Sequence, residues 1–167
     1  MGERLTESDI EKIKKEIEHR KLVVRKEAIE AVKEARAQGD LSENFEYYAA
    51  KKDKNKNESR IRYLERMLKT AEIVPDESED DEVGMNNTVE LYFEEDQITE
   101  TYKLVTSIRG NSLKGFISIE SPIGKAIIGK KVNDRVFVKV NDNYGYYVVI
   151  RYIDKSSDDE DDEIKSF

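Results

Sequence analysis

The sequence predicts an α+β protein, with a long antiparallel α-helical coiled-coil hairpin first and a small β-rich domain after it. Three observations lead there. Residues 8–38 contain neither glycine nor proline and carry apolar residues three and four apart, the spacing of one helix face. A second run of the same texture reaches Pro75. Beyond residue 87 the pattern changes to alternating β-branched and aromatic residues, the period of strands. Charged residues form 40% of the chain and hydrophobic ones 37%. That balance is too polar for one compact globule and suits an elongated body with much surface per residue.

The elements follow in order. Thr6 to Asp9 offers N-cap residues, and helical periodicity starts just after them. Ile10, Ile13 and Ile17 open a seam that Val24, Ala28, Ala31 and Ala35 continue after a slip near Lys21. Such a pattern is a coiled-coil seam with one irregularity. Gly39 then offers a helix stop. A second helix is expected from Ser42, with Tyr47, Ala50, Lys54, Asn57, Ile61, Leu64, Leu68 and Ala71 along its seam. Arms of about 30 residues at 1.5 Å rise would reach roughly 45 Å. The seam is Ile and Leu far from the turn, and Ala against Tyr47, Lys54 and Asn57 close to it.

Residues 1–75 are thus read as the hairpin and 76–86 as an acidic linker, since Asp76 to Glu82 (DESEDDE) offers no core. Residues 87–155 are the β-rich domain. Its expected strands are Thr88–Phe93, Thr99–Val105, Phe116–Ile119, Val136–Val140 and Tyr146–Ile153. Ser121 to Gly129 reads as a short helix with serine at the cap and proline in its first turn. Asn141 to Gly145 reads as a hairpin turn. Residues 156–167 are an acidic tail.

Several function classes are excluded. The chain has no cysteine and a single histidine, His19, so thiolate and multi-histidine metal sites are out. No apolar run approaches the roughly 20 residues that span a bilayer, and the N-terminus lacks a signal-peptide layout. No membrane association, a cytoplasmic location and a monomer are expected. The net charge of −8 is uneven: residues 1–74 hold 18 basic against 16 acidic side chains, a net +2, and residues 75–167 hold 11 against 21, a net −10. An acidic total disfavours a general duplex binder. The GKAIIGKK segment lacks the residue order of a phosphate loop.

Two groups near the turn could carry chemistry. Asp40 and Glu43 stand three apart just after Gly39. That spacing fits a helix N-cap with its reciprocating carboxylate, or two carboxylates sharing a hard cation such as Mg²⁺. Two carboxylates alone leave most of the octahedron unfilled, so a partner would have to supply ligands. Arg36, Lys51, Lys52, Lys54 and Lys56 flank the turn beside Phe45, Tyr47 and Tyr48. Basic and aromatic side chains so interleaved suit single-stranded nucleic acid, or form an ordinary solvated helix face. In the β-rich half, Ile123, Ile127 and Ile128 are either core or a docking surface.

KEARAQGDLSENFEYYAAK (33–51) resembles the hairpin tip of the bacterial GreA/GreB transcript-cleavage factors, and SPIGKAIIGKKVND (121–134) resembles the C-terminal FKBP-like domain of the same family. The resemblance implies a hairpin that enters the secondary channel of bacterial RNA polymerase while the second domain docks at the channel rim. It implies that Asp40 and Glu43 help hold Mg²⁺ jointly with the polymerase, no cofactor being held by the chain alone. The backtracked RNA 3′ end is then hydrolysed, and the factor completes an active site instead of catalysing alone. Ser42 and Asn44 would position the tip. Arg36, Phe45, Tyr47 and the four lysines would contact RNA or polymerase, and Ser121, Pro122 and Ile123 the rim. Phe45 and Tyr48 depart from the family pattern, which is commonly alanine and polar there, and the acidic linker and tail are also unusual. These departures sustain an alternative: a channel-binding regulator that inhibits or retunes polymerase without cleavage. A coiled-coil adaptor, for which Asp40 and Glu43 would be dispensable, is the reading outside that family.

Overall fold

The computed structural model describes residues 2–38, 44–75, 78–109, 115–156 and 164. The chain divides into two units: Glu7–Glu72 with the first three residues, and Ile73 onward with Arg4–Thr6. A helical hairpin makes the first and a curled sheet with a short helix the second.

The first arm consists of α1 (Glu7–His19), a π-helical turn (Arg20–Val24) and α2 (Arg25–Ala37). Acidic Glu7 and Asp9 lie in the first turn of α1 and His19 in its last, matching the helix dipole. The second arm is α3 (Phe45–Thr70). Its start lies three residues later than the expected Ser42, because Asn44 takes the N-cap position: its side chain accepts from the Tyr47 N–H at 3.0 Å. The D-x-x-E spacing at Asp40 is therefore not the cap of α3. Ala71 is the C-cap, so it lies just beyond the last helical residue. Ile13, Ile61, Leu64 and Met67 are buried in the hairpin, and Ala35 is the buried residue of α2.

The slip near Lys21 is the π-helical turn. Ile13, Ile17, Arg20 and Val24 step by four, three and four, and a regular seam would continue through residues 27, 31 and 34. Those positions are Glu27, Ala31 and Glu34, and all three are exposed. The residues turned inward are Ala28, Val32 and Ala35, each one position later. Ala31 is thus not a seam residue as expected. A π turn accommodates one extra residue, and here it keeps two glutamates out of the seam. The backbone N–H of Arg25 donates to the Arg20 carbonyl, five residues back.

In the second unit, five strands run in the order β5–β4–β3–β7–β6. They are β3 (Thr88–Phe93), β4 (Ile98–Val105), β5 (Phe116–Ser118), β6 (Arg135–Asn141) and β7 (Tyr144–Asp154). All neighbours are antiparallel except β4 and β5. The two residues Asp142 and Asn143 join β6 to β7, a tighter turn than the five expected. Val89, Leu91, Leu104, Val136, Val138, Val148 and Ile150 alternate inward to form the core, with Ile119 and Ile127. The segment read as linker also contributes: Val83 and Met85 are buried in this cluster. Two short strands, Arg4–Leu5 (β1) and Glu72–Ile73 (β2), pair with each other.

Helix α4 (Pro122–Ile127) follows β5, as the serine and proline predict. Ser121 Oγ accepts from the Gly124 N–H at 3.1 Å and donates to the Ser118 carbonyl at 2.6 Å. Gly124 does not serve a turn; it is buried, and a Cβ there would lie 1.9 Å from the Ser118 oxygen. Gly129 is the turn glycine, at φ +78°.

Candidate functional site

Asp40, Ser42 and Glu43 lie outside the described residues; the side chains that frame them are described. Asn44 makes two contacts at once. While its Oδ1 caps α3, its Nδ2 donates to the Ala35 carbonyl at 2.5 Å. One side chain thereby ties the last turn of α2 to the first turn of α3. The sequence offered Asn44 as a tip-positioning residue only through resemblance; that it bonds both arms is visible from the fold alone.

The flanking side chains separate into two groups. The Arg36 guanidinium lies 5.6 Å from the centre of the Tyr47 ring. Its hydrogen bond is the largest influence on the Tyr47 hydroxyl and holds it below the ordinary tyrosine range, against a smaller opposing effect of burial and with help from Lys51. Lys54 is half-buried and its charge lowers the Glu58 carboxyl, though the Arg25 hydrogen bond does more. Tyr47 and Lys54 thus belong partly to the hairpin's own contacts. Phe45, Tyr48, Lys51, Lys52 and Lys56 face solvent, Phe45 at 84% exposure. The Tyr47 and Tyr48 rings are 5.5 Å apart. What reaches outward is Phe45 and Tyr48 with three lysines, and Arg36, also exposed, lies against Tyr47.

Further down the hairpin the seam turns polar. Glu16 accepts from Arg20 Nε at 2.7 Å and from Arg60 Nε at 2.9 Å. Burial would raise its carboxyl, but these two guanidinium groups outweigh burial and hold it below the usual range. Asn57, 3% exposed, accepts from Arg20 Nη1 at 2.9 Å and donates to the Arg20 carbonyl at 3.3 Å. Arg25 grips Glu58 through two bonds of 2.8 and 3.0 Å.

In the second unit Pro122 is exposed at the start of α4, Ser121 is engaged as its cap, and Ile123 is half-buried against the core. Ile127 is fully buried and Ile128 packs beside it. Of the three isoleucines considered for docking, all therefore contribute to packing. Among the described residues, Glu79, Asp81 and Glu82 stand close enough to share a cation, but Lys131 already pairs with Asp81 at 3.5 Å. No helix among the described residues is long and apolar enough to cross a membrane.

Family models and relatives match most of this chain. Residues 3–73 match the family described as "Transcription elongation factor, N-terminal", and residues 77–153 that described as "Transcription elongation factor, GreA/GreB, C-term". The transcription elongation factor GreA of Lachnoclostridium phytofermentans is 42% identical over 154 residues, covering 92% of this chain and 96% of its own length. That of Thermoanaerobacter pseudethanolicus is 44% identical over 137 residues, covering 81% and 87%. The solved structure of the transcription factor Gfh1 aligns over 92% of this chain and 97% of its own at 25% identity and a TM-score of 0.46. Both halves of the chain match in the same order, and the relatives span nearly its full length: the chain belongs to the GreA/GreB family of transcription elongation factors.

Proposed function

We propose that this chain acts on the bacterial RNA polymerase elongation complex by entering the secondary channel and stimulating cleavage of backtracked RNA, which restarts stalled complexes. Asp40 and Glu43 carry the activity. The observation behind this is the capping of α3 by Asn44, so that neither carboxylate is the N-cap residue of that helix. Hard oxygen donors three residues apart in sequence suit Mg²⁺, and the four or so positions they leave open fall to polymerase, RNA phosphate and water. The ion would supply an activated water and charge neutralisation at the phosphate. Asn44 ties the arms at the tip and Ser42 would position the acids, Arg36 and the exposed lysines attract the RNA backbone, and Tyr48 with Phe45 offers stacking faces. Ser121, Pro122 and Ile123 form the rim contact, in which exposed Pro122 is the outermost residue. The protein is inert alone and works as a monomer.

The 84% exposure of Phe45 favours a second reading. A bulky aromatic at the first residue of α3 could fill the channel and retune polymerase without cleavage. A backtracked complex with cognate polymerase and Mg²⁺ separates the two. Cleavage by wild type and none by Asp40→Ala with Glu43→Ala, polymerase binding being equal, supports the cleavage role. Binding without cleavage by either protein makes this a channel-occupying regulator.

A further inference from the structure

The π-helical turn and Asn57 form a device that the family assignment does not require. Arg20–Val24 absorbs one residue more than a regular seam allows, and its effect is to turn Ala28, Val32 and Ala35 inward in place of Glu27, Ala31 and Glu34. The Arg20 carbonyl accepts the π-type bond from the Arg25 N–H and a second bond from Asn57 Nδ2. The same asparagine receives the Arg20 guanidinium on its Oδ1. Asn57 is thus bonded to both the backbone and the side chain of the residue where the helix changes its winding. It lies buried in the facing helix, and a buried asparagine in a coiled-coil seam sets register at some cost in stability.

We infer that Asn57 is a positioning residue: by holding the π turn at Arg20, it fixes the rotation of α2 about its axis and so the direction in which the tip presents Asp40 and Glu43. The inference rests on the cleavage reading for its functional consequence, but not for its geometry. Were the arm to continue as plain α-helix, everything beyond Val24 would turn by about 100°, one residue's rotation. Ala35, whose carbonyl receives Asn44 Nδ2, would then leave the seam and the tie across the tip would break. Leu22 sits in the π turn at 66% exposure, so its deletion removes the extra residue without touching the core. That deletion converts the arm to an uninterrupted helix with the same residues inward.

The test uses the full-length chain, which has no cysteines. Cysteines at Glu30 and Asp53, both exposed, receive nitroxide labels for a distance measurement between the arms. Wild type should give one narrow distance. Asn57→Leu, close in size and apolar, should stay helical but give a shifted or doubled distance, with stimulated cleavage down about a hundredfold. Deleting Leu22 in the Asn57→Leu background should restore both the single distance and cleavage, which no loss of mere stability would explain. An unchanged distance in Asn57→Leu overturns the inference, whether or not cleavage falls. Should Asn57→Leu fail to fold, the deletion variant decides: recovery of helix content and the wild-type distance supports the register device, and no recovery overturns it. If wild type does not cleave, the cleavage reading fails, and the distances still judge Asn57.

Discussion

The sheet unit and the hairpin hold their shapes by different means. In the sheet unit, inward residues of four strands converge with α4 on one apolar cluster that includes Val89, Leu91, Leu104, Val138, Val148 and Ile150, each fully buried. Among the described residues the hairpin has a narrow line of such side chains, Ile13, Ile61 and Leu64 among them. Towards the tip it relies on polar ties: Glu16 with Arg20 and Arg60, Asn57 with Arg20, Arg25 with Glu58 and Asn44 with Ala35. A two-dimensional core spreads its stability over many contacts. A seam concentrates direction in a few bonds, so the tip's orientation can be disturbed without unfolding either unit.

The largest test of this contrast truncates one leucine in each unit. Leu91→Ala and Leu64→Ala should each cost about 2–5 kcal/mol, read as separate losses in denaturant unfolding followed by β-sheet and helix signals. A loss seen equally in both signals for either variant would mean that the units unfold together. Next comes Asn44→Ala, which should cost about 1 kcal/mol as a lost cap yet lower stimulated cleavage well beyond that, because the bond to Ala35 goes with it. Full cleavage in this variant would remove Asn44 from tip positioning. The smallest effect concerns acid. Glu16 is held below the ordinary glutamate range in the folded hairpin, so its contribution is complete above the unfolded value of about 4.3. It is lost as pH falls through the lower, folded value. Helix stability of wild type should decline in that window more steeply than that of Glu16→Gln, and parallel declines would place the acid sensitivity elsewhere.

The sheet was largely legible in the sequence because period-2 alternation over six or more residues has no competitor. The range Thr88–Phe93 is observed as expected, and β7 starts two residues earlier than expected because its turn is two residues long, and ends one later, at Asp154. The two-residue strands β1 and β2 are too short to show a period. Val83 and Met85 were hidden as core residues by the acidic run before them and the glycine between them. In the hairpin, the slip near Lys21 was visible but its outcome was not. Ala31 and Val32 are both small and apolar, so only the charge of Glu27 and Glu34, weighed against the seam, says which phase prevails. The start of α3 was missed because Asp40, Ser42 and Asn44 are all cap-forming residues. Three-dimensional closure onto the Ala35 carbonyl selects the last of them. The roles given to Asp40 and Glu43 come from resemblance alone, and both residues lie outside the described ones.

Gly124 carries one more consequence. With the Ser118 oxygen 1.9 Å from where a Cβ would stand, α4 is pressed onto the strand behind it, and Ser121 is bonded at both ends of the same short loop. Pro122 is therefore displayed on a rigid mount. If the proposed rim contact uses Pro122, its partner would meet a surface already in its final form, so little ordering entropy would be lost on this side of the encounter. In that contact the adjustments of fit would fall to the other molecule, and changes at position 122 would alter recognition through shape alone, without first having to reshape the domain that bears it.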